Sequence, residues 1–403
     1  MRELVRKAID PLKIFFNDSR STGILLLFCA IVSLTMSNSS GGLWYRSIWN
    51  SAIHYRGNIN LPHSGLKWIN DLLMAIFFLF AGMEIKRELL DGELSGFKKA
   101  ILPFGAALGG MIVPALIYVS LNAGTAFVHG WGIPTATDIA FSLGIASLLG
   151  KRVPASMKIF LMALAIIDDL GAIVVIAIFY GSDINWLMLL YGLFVYSLLW
   201  LCNYRKIKPG IIQLVLSLIL WYIIFNSGIE ASISGVLVAF AMPVNSLPKL
   251  ENAIHKVVNF MILPLFVLAN TAILIPSGIS SFNSPISIGI IMGLVIGKPV
   301  GIFLFSKIMI KLKIAKLPLN TNLKQLIGMG SLAGIGFTMS IFTTTLAFTG
   351  EVNRDIAKIS ILASLVLSIL VSSIYFMVLE ATTSAKPVIK KPQRRISPEI
   401  AMG

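Results

Sequence analysis

Cysteine is almost absent from this chain: Cys29 and Cys202 are the only two in 403 residues, and both fall inside apolar stretches. A disulfide framework and a thiolate metal site are therefore excluded, and packing is the expected role of both. Charge is scarce too, at 13% of residues, and acid is scarcer than base, with 18 Asp and Glu against 33 Lys and Arg. The net charge of +15 does not point to nucleic acid, because the basic residues are scattered between apolar runs and form no face interleaved with aromatics. Hydrocarbon takes the place of charge. The chain is 56% hydrophobic with a mean hydropathy of +0.86, outside the usage of water-soluble domains. It reads as an all-α polytopic membrane protein.

A membrane-crossing helix needs roughly 20 mostly apolar residues. Apolar stretches fall near 21–36, 66–85, 100–121, 127–149, 156–180, 185–203, 210–225, 229–244, 257–275, 286–308, 325–348 and 356–380, which makes twelve expected spans. The Lys and Arg tally sets their direction: 27 lie at the termini and on alternate loops, five lie on the opposite side, and Lys298 alone lies inside a span. By the positive-inside rule both termini are expected in the cytoplasm. Residues 1–20, with five Lys or Arg, read as an amphipathic surface segment before an uncleaved first span. Residues 21–382 read as a single transmembrane domain, and 383–403, basic and Pro-rich, as a disordered cytoplasmic tail. The external connection 37–65 carries Trp44, Tyr45, Ile48 and Trp49 among polar residues, a pattern for a β-hairpin or an interfacial anchor.

Ionisable groups deep in a bilayer are expensive and usually serve an ion or substrate path. Asp168 and Asp169 lie about 12 residues into the fifth span, roughly 18 Å deep at 1.5 Å per residue. Asp138 in the fourth span and Lys298 in the tenth reach the same level. Neighbouring helix residues point about 100° apart, so the two aspartates face different directions around a cavity. Desolvation and a like-charged neighbour each make a carboxylate hold a proton more firmly. Protonation and binding of a hard cation then exclude one another, the minimum requirement for exchanging a cation against protons.

The fourth span reads GWGIPTATDIAFSLG, a helix that restarts after Gly132 and Pro134, and the eleventh, GMGSLAGIGFTMSIF, is weakened by glycines. Two interrupted spans in corresponding places are the expected sign of inverted repeats with a midplane site. The repeats are expected at about 98–180 and 286–380. Broken helices expose ends carrying about half a unit charge. Asp138 is placed to compensate two N-termini and Lys298 two C-termini, with the Thr137 hydroxyl beside Asp138.

At these residues the chain resembles the NhaA family of sodium/proton antiporters, through LAIIDDLGAI, PTATDIAFSLG, GMEIKREL, IGKP and GIGFTMSIF in the family's order. The resemblance covers about residues 10–382. It implies a twelve-helix inverted-repeat fold, two interrupted helices crossing at the midplane, in the bacterial inner membrane. It implies electrogenic exchange of sodium or lithium against protons by alternating access, with Asp168 and Asp169 binding the ion and Asp138, Thr137 and Lys298 supporting them. It further implies activation at alkaline pH through Glu84, Arg87, Glu88, Glu251 and His255, and a homodimer. Glu230 and Asn252 stand where some members carry histidine, so Glu230 is a pH-sensing candidate of different chemistry. No cofactor is implied.

Two other classes are considered. An intramembrane aspartyl protease needs its two aspartates on different helices to share a proton, whereas Asp168 and Asp169 are consecutive, and the GxGD element of such enzymes is missing. A sodium-coupled symporter of an organic anion needs further polar groups around the crossing. The Asp-Asp element favours exchange over either.

Overall fold

The computed structural model describes all residues except 1–18, 56–59, 182, 206, 208–209, 276–282, 320 and 385–403. The amphipathic leader and the basic tail lie almost wholly outside the described residues. Among those described, helix is the only extended secondary structure. In chain order the helices are α1 Ser19–Ser37, α2 Gly42–Asn50, α3 Gly65–Leu90, α4 Phe97–Asn122, α5 Ile139–Leu148, α6 Ala155–Phe179, α7 Trp186–Tyr204, α8 Ile211–Phe225, α9 Ile233–Ala241, α10 Val244–Asn270, α11 Pro285–Lys311, α12 Leu323–Ala333, α13 Phe337–Ala347 and α14 Glu351–Ser384. A tight 3-10 segment, Val128–Thr135, precedes α5.

Seven of these helices are long and apolar enough to cross a membrane, or up to nine if each bent pair counts as one span. This is a multi-pass membrane protein. Every apolar stretch of the sequence contains helix, and the outer faces of α7 and α8 expose Trp186, Phe194, Ile211 and Leu214, a surface suited to hydrocarbon.

Local sequence explains where helices start and how closely they pack. Asn322 and Gln325 form a reciprocal capping box at α12, and the Ser284 hydroxyl with Pro285 opens α11. Pro103 and Pro114 lie inside α4, tolerated where neighbouring helices satisfy the freed backbone. Gly109 of α4 and Gly301 of α11 meet backbone to backbone; a Cβ on either would overlap the other's carbonyl oxygen. Three helices carry one wide π-type turn each: Ile69–Leu73 in α3, Val258–Ile262 in α10 and Gly293–Gly297 in α11, the last directly before Lys298.

The connection 37–65 departs from a β-hairpin. It forms α2, which turns 116° from α1, and pairs as strand only at the single antiparallel bridge Ala52–Ser64. Residues 56–59, at its tip, are outside the described set. Aromatic anchoring explains the helix: Tyr45 is buried, its hydroxyl lies 3.1 Å from Ser33 Oγ and donates to the Leu268 carbonyl at 3.2 Å, and its ring meets Trp49 edge-on.

Candidate functional site

Helix is broken within residues 127–149 and again within 325–348. Residues 136–138 separate the 3-10 segment from α5, and α12 and α13 meet at a 52° bend across Gly334–Gly336. The two breaks are tied together. The Asp138 amide donates to the Ile335 carbonyl at 2.6 Å, Thr137 Oγ1 to the Ala333 carbonyl at 2.9 Å, Ser142 Oγ to the Leu332 carbonyl at 2.9 Å, and Ser340 Oγ to the Ile133 carbonyl at 2.7 Å. Backbone groups freed by each break are thus met by the other, as a low-dielectric interior demands.

Asp138 stands at two helix N-termini. Its Oδ1 accepts from the Phe141 amide of α5 at 3.2 Å, and its Oδ2 accepts from the amide and hydroxyl of Thr338 in α13 at 3.1 and 2.6 Å. A negative group there faces two positive dipole ends. Lys298 meets only one C-terminus: its Nζ donates to the Thr135 carbonyl, which closes the 3-10 segment, at 2.5 Å. The C-terminal carbonyls of α12 at Leu332 and Ala333 are taken by Ser142 and Thr137 hydroxyls, so a lysine shared by two C-termini is not what forms. Lys298 spends its other contact on Asp168, Nζ to Oδ2 at 2.6 Å, with both side chains fully buried.

The two aspartates have different surroundings. Asp168 is held by Lys298 and does not line the cavity that Asp169 meets. Asp169, 7% exposed, lines a cavity of about 330 Å³ with Asp138, Thr137 and Thr338. Of their oxygens, Asp168 Oδ1 and Asp169 Oδ1 accept no hydrogen bond from the described residues. Glu84, Glu251 and His255 line the same cavity. Hard oxygen donors and further titratable groups thus share one space.

The titratable wall is linked by Arg87. Its guanidinium grips Glu251 through two bonds, 3.0 and 3.1 Å, and reaches Glu88 at 3.1 Å; Glu88 also accepts the Glu93 amide at 3.0 Å. His255 contacts the Asn259 amide group at 3.0 Å and meets the Phe80 ring edge-on. Glu230 is not brought to this group. The charges nearest it are Asp71 and Lys67, in the first two turns of α3, whereas Glu84, Arg87 and Glu88 occupy its last two. Sequence order hid this separation, because α3 spans the whole distance between the two places.

Three contributors escaped the sequence reading. Thr338 carries no charge, although it lies within GIGFTMSIF. The Thr135 carbonyl is backbone and leaves no side-chain signal. Lys86, 9% exposed, donates to the Ala239, Phe240 and Met242 carbonyls at 3.5, 2.7 and 2.5 Å and so clamps the C-terminus of α9 to α3; in sequence it counted only toward the cytoplasmic charge tally.

A buried carboxylate pair, a buried lysine and two mutually bonded helix breaks inside a multi-pass helical protein define a class of membrane protein built around charge at depth. The sequence places it further: the Na+/H+ antiporter 1 family model matches residues 13–376, and the chain belongs to that family. Among similar proteins are the Na(+)/H(+) antiporter NhaA 1 of Clostridium beijerinckii, 44% identical with 94% of this chain and 98% of the relative covered, and the Na(+)/H(+) antiporter NhaA of Flavobacterium psychrophilum, 48% identical with 87% and 92% covered. The relative from Vibrio alginolyticus is 44% identical over 86% of this chain and 91% of its own length. The solved structure of the sodium proton antiporter MjNhaP1 from Methanocaldococcus jannaschii shares the fold, with a TM-score of 0.52 at 15% identity over 96% of each chain.

Proposed function

We propose that this chain is an electrogenic antiporter that exports sodium, or lithium, in exchange for external protons by alternating access. The observation that carries the reading is the division of labour between adjacent carboxyls: Asp169 faces the cavity, while Asp168 is neutralised by Lys298. A proton on Asp169 and a sodium ion on its oxygens are alternatives. As the ion arrives, Asp168 turns from Lys298 to complete its coordination, and Asp138 and Thr137 keep the two helix breaks in place. Names given to the relatives favour sodium and protons as the transported pair. Membership of an antiporter family sets the chain apart from enzymes.

The architecture of this reading is a single domain over 21–382 with twelve crossings, inverted repeats over 98–180 and 286–380, and both termini in the cytoplasm of a bacterial inner membrane. The cavity then opens to the cytoplasm, the side richest in Lys and Arg. Alkaline activation is assigned to Glu84, Arg87, Glu88, Glu251 and His255, four acidic or imidazole groups around one guanidinium. A homodimer would join through the external segment that carries α2.

The test is sodium-dependent dissipation of an imposed pH gradient by the purified protein in liposomes containing no organic solute. Exchange that Asp169→Asn abolishes supports the reading. Sodium uptake without proton release overturns it.

A further inference from the structure

Away from the carboxylates, α4 and α6 run side by side with two cavities along their seam. The first, about 340 Å³, lies at their N-terminal ends and is bordered by Lys98, Lys99, Lys316 and Glu93 above an apolar wall that includes Leu102 and Phe160. The second, about 520 Å³, follows deeper on the same two helices, between Phe104 and Val119 of α4 and between Ile167 and Val175 of α6, and is walled almost entirely by apolar side chains.

Charge at the mouth is unbalanced. Glu93 pairs with Lys99 at 3.7 Å, which leaves the ammonium groups of Lys98 and Lys316 without an acidic partner among the described residues of the cavity wall. Two long helices also begin there, α4 after Gly96 and α6 after Pro154, and neither has a side-chain cap. Their positive dipole ends add to the lysines. The Ser156 hydroxyl donates to the Leu319 carbonyl at 3.0 Å and holds the segment bearing Lys316 against α6. From Phe160 to Gly171 is 11 residues, roughly 16 Å of helix, about half the thickness of a bilayer's hydrocarbon core.

We propose that the α4–α6 seam is a binding site for an anionic phospholipid of the cytoplasmic leaflet. Its phosphate sits among Lys98, Lys316 and the two helix N-termini, and one acyl chain runs down the apolar groove. The order along the seam, cationic mouth and then hydrocarbon wall, is complementary to that molecule and to neither a free anion nor an uncharged lipid. Because α6 carries Asp168 and Asp169 and α4 packs against α11, which carries Lys298, the lipid would brace the helices that hold the buried ion pair.

The full-length protein in phosphatidylcholine liposomes is titrated with phosphatidylglycerol bearing a photoreactive acyl chain, and cross-linked peptides are mapped. Labelling should concentrate in 102–119 and 159–175. Attraction of about 1 kcal/mol per lysine near a membrane surface corresponds to roughly fivefold in affinity. The double variant Lys98→Gln, Lys316→Gln should therefore need on the order of 25-fold more lipid for half-labelling, and Glu93→Gln, which frees Lys99, should need less than the unaltered protein. Opposite shifts from variants at one mouth cannot arise from misfolding alone. Equal labelling by photoreactive phosphatidylcholine, labelling spread evenly over α7 and α8, or indifference to these substitutions would overturn the proposal. Displacement by excess inorganic phosphate would show a free-anion site and overturn the lipid assignment.

Discussion

Lys298 and Asp168 form an ion pair at 2.6 Å with no exposed surface on either side chain, and the lysine's second bond goes to the Thr135 carbonyl that ends the 3-10 segment. One ammonium group thus joins α11, α6 and the first helix break. Removing one partner of a buried pair typically costs about 3–5 kcal/mol, because the other charge is left uncompensated. Lys298→Gln should lower the thermal unfolding midpoint in detergent clearly, and Asp168→Asn on that background should recover part of the loss. A double-mutant cycle measures the coupling. If Lys298→Gln also retains electrogenic exchange, the lysine proton takes no part in transport.

Asp169 offers a contrast. Its Oδ1 accepts no hydrogen bond from the described residues and its side chain lines the cavity. Asp169→Asn should therefore abolish sodium-driven proton movement in everted vesicles while changing stability by less than about 1 kcal/mol, the range of substitutions that break no structural contact. Asp168→Asn should lose both transport and stability.

The Thr338 hydroxyl donates to Asp138 Oδ2 at 2.6 Å. Hydrogen bonds to charged groups contribute about 1.5–3 kcal/mol. Thr338→Val should lose that amount in denaturant unfolding and slow transport by loosening the bond between the two helix breaks, whereas Thr338→Ser should keep most of both.

Arg87 holds Glu251 through two bonds and Glu88 through a third. Arg87→Gln should move the midpoint of the pH–activity profile, read as sodium-induced dequenching of a pH dye at several pH values. The maximal rate should change little, because the binding carboxylates are untouched. Glu230→Gln should leave the midpoint in place, since Glu230 lies toward Asp71 and Lys67 at the opposite end of α3.

The helices were legible in the sequence, because hydrocarbon imposes length and apolarity on any crossing segment, and so was the burial of Asp138, Asp168, Asp169 and Lys298. Both breaks were legible as well: Pro134 and the Gly334–Gly336 stretch weaken helix wherever they stand. Orientation around a helix axis was harder. That Asp168 and Asp169 point different ways follows from 100° per residue, but which of them meets Lys298 depends on packing between α6 and α11. Asp138 does meet two helix N-termini, but the sharing of two C-termini by Lys298 was misjudged for the same reason. Hydroxyls of Thr137 and Ser142 cap α12, and neutral groups that satisfy backbone carbonyls leave no trace in a charge tally. In residues 37–65, aromatics among polar residues suggested a hairpin or an interfacial anchor; Tyr45 is instead buried in contact with Ser33 and Leu268 from a short helix, a tertiary contact that outweighs local pattern.

The wide turn at Gly293–Gly297 lies immediately before Lys298. Such a turn accommodates one residue more than regular winding, so winding these residues as an ordinary α-helix, with none removed, would rotate all that follows by about 100°. The lysine would swing off its carboxylate and Gly301 would leave Gly109, with no side-chain chemistry changed at all. The ammonium group that pairs with Asp168 is aimed by a local irregularity in winding, and a change that regularised the turn would be as disabling as replacing the lysine itself.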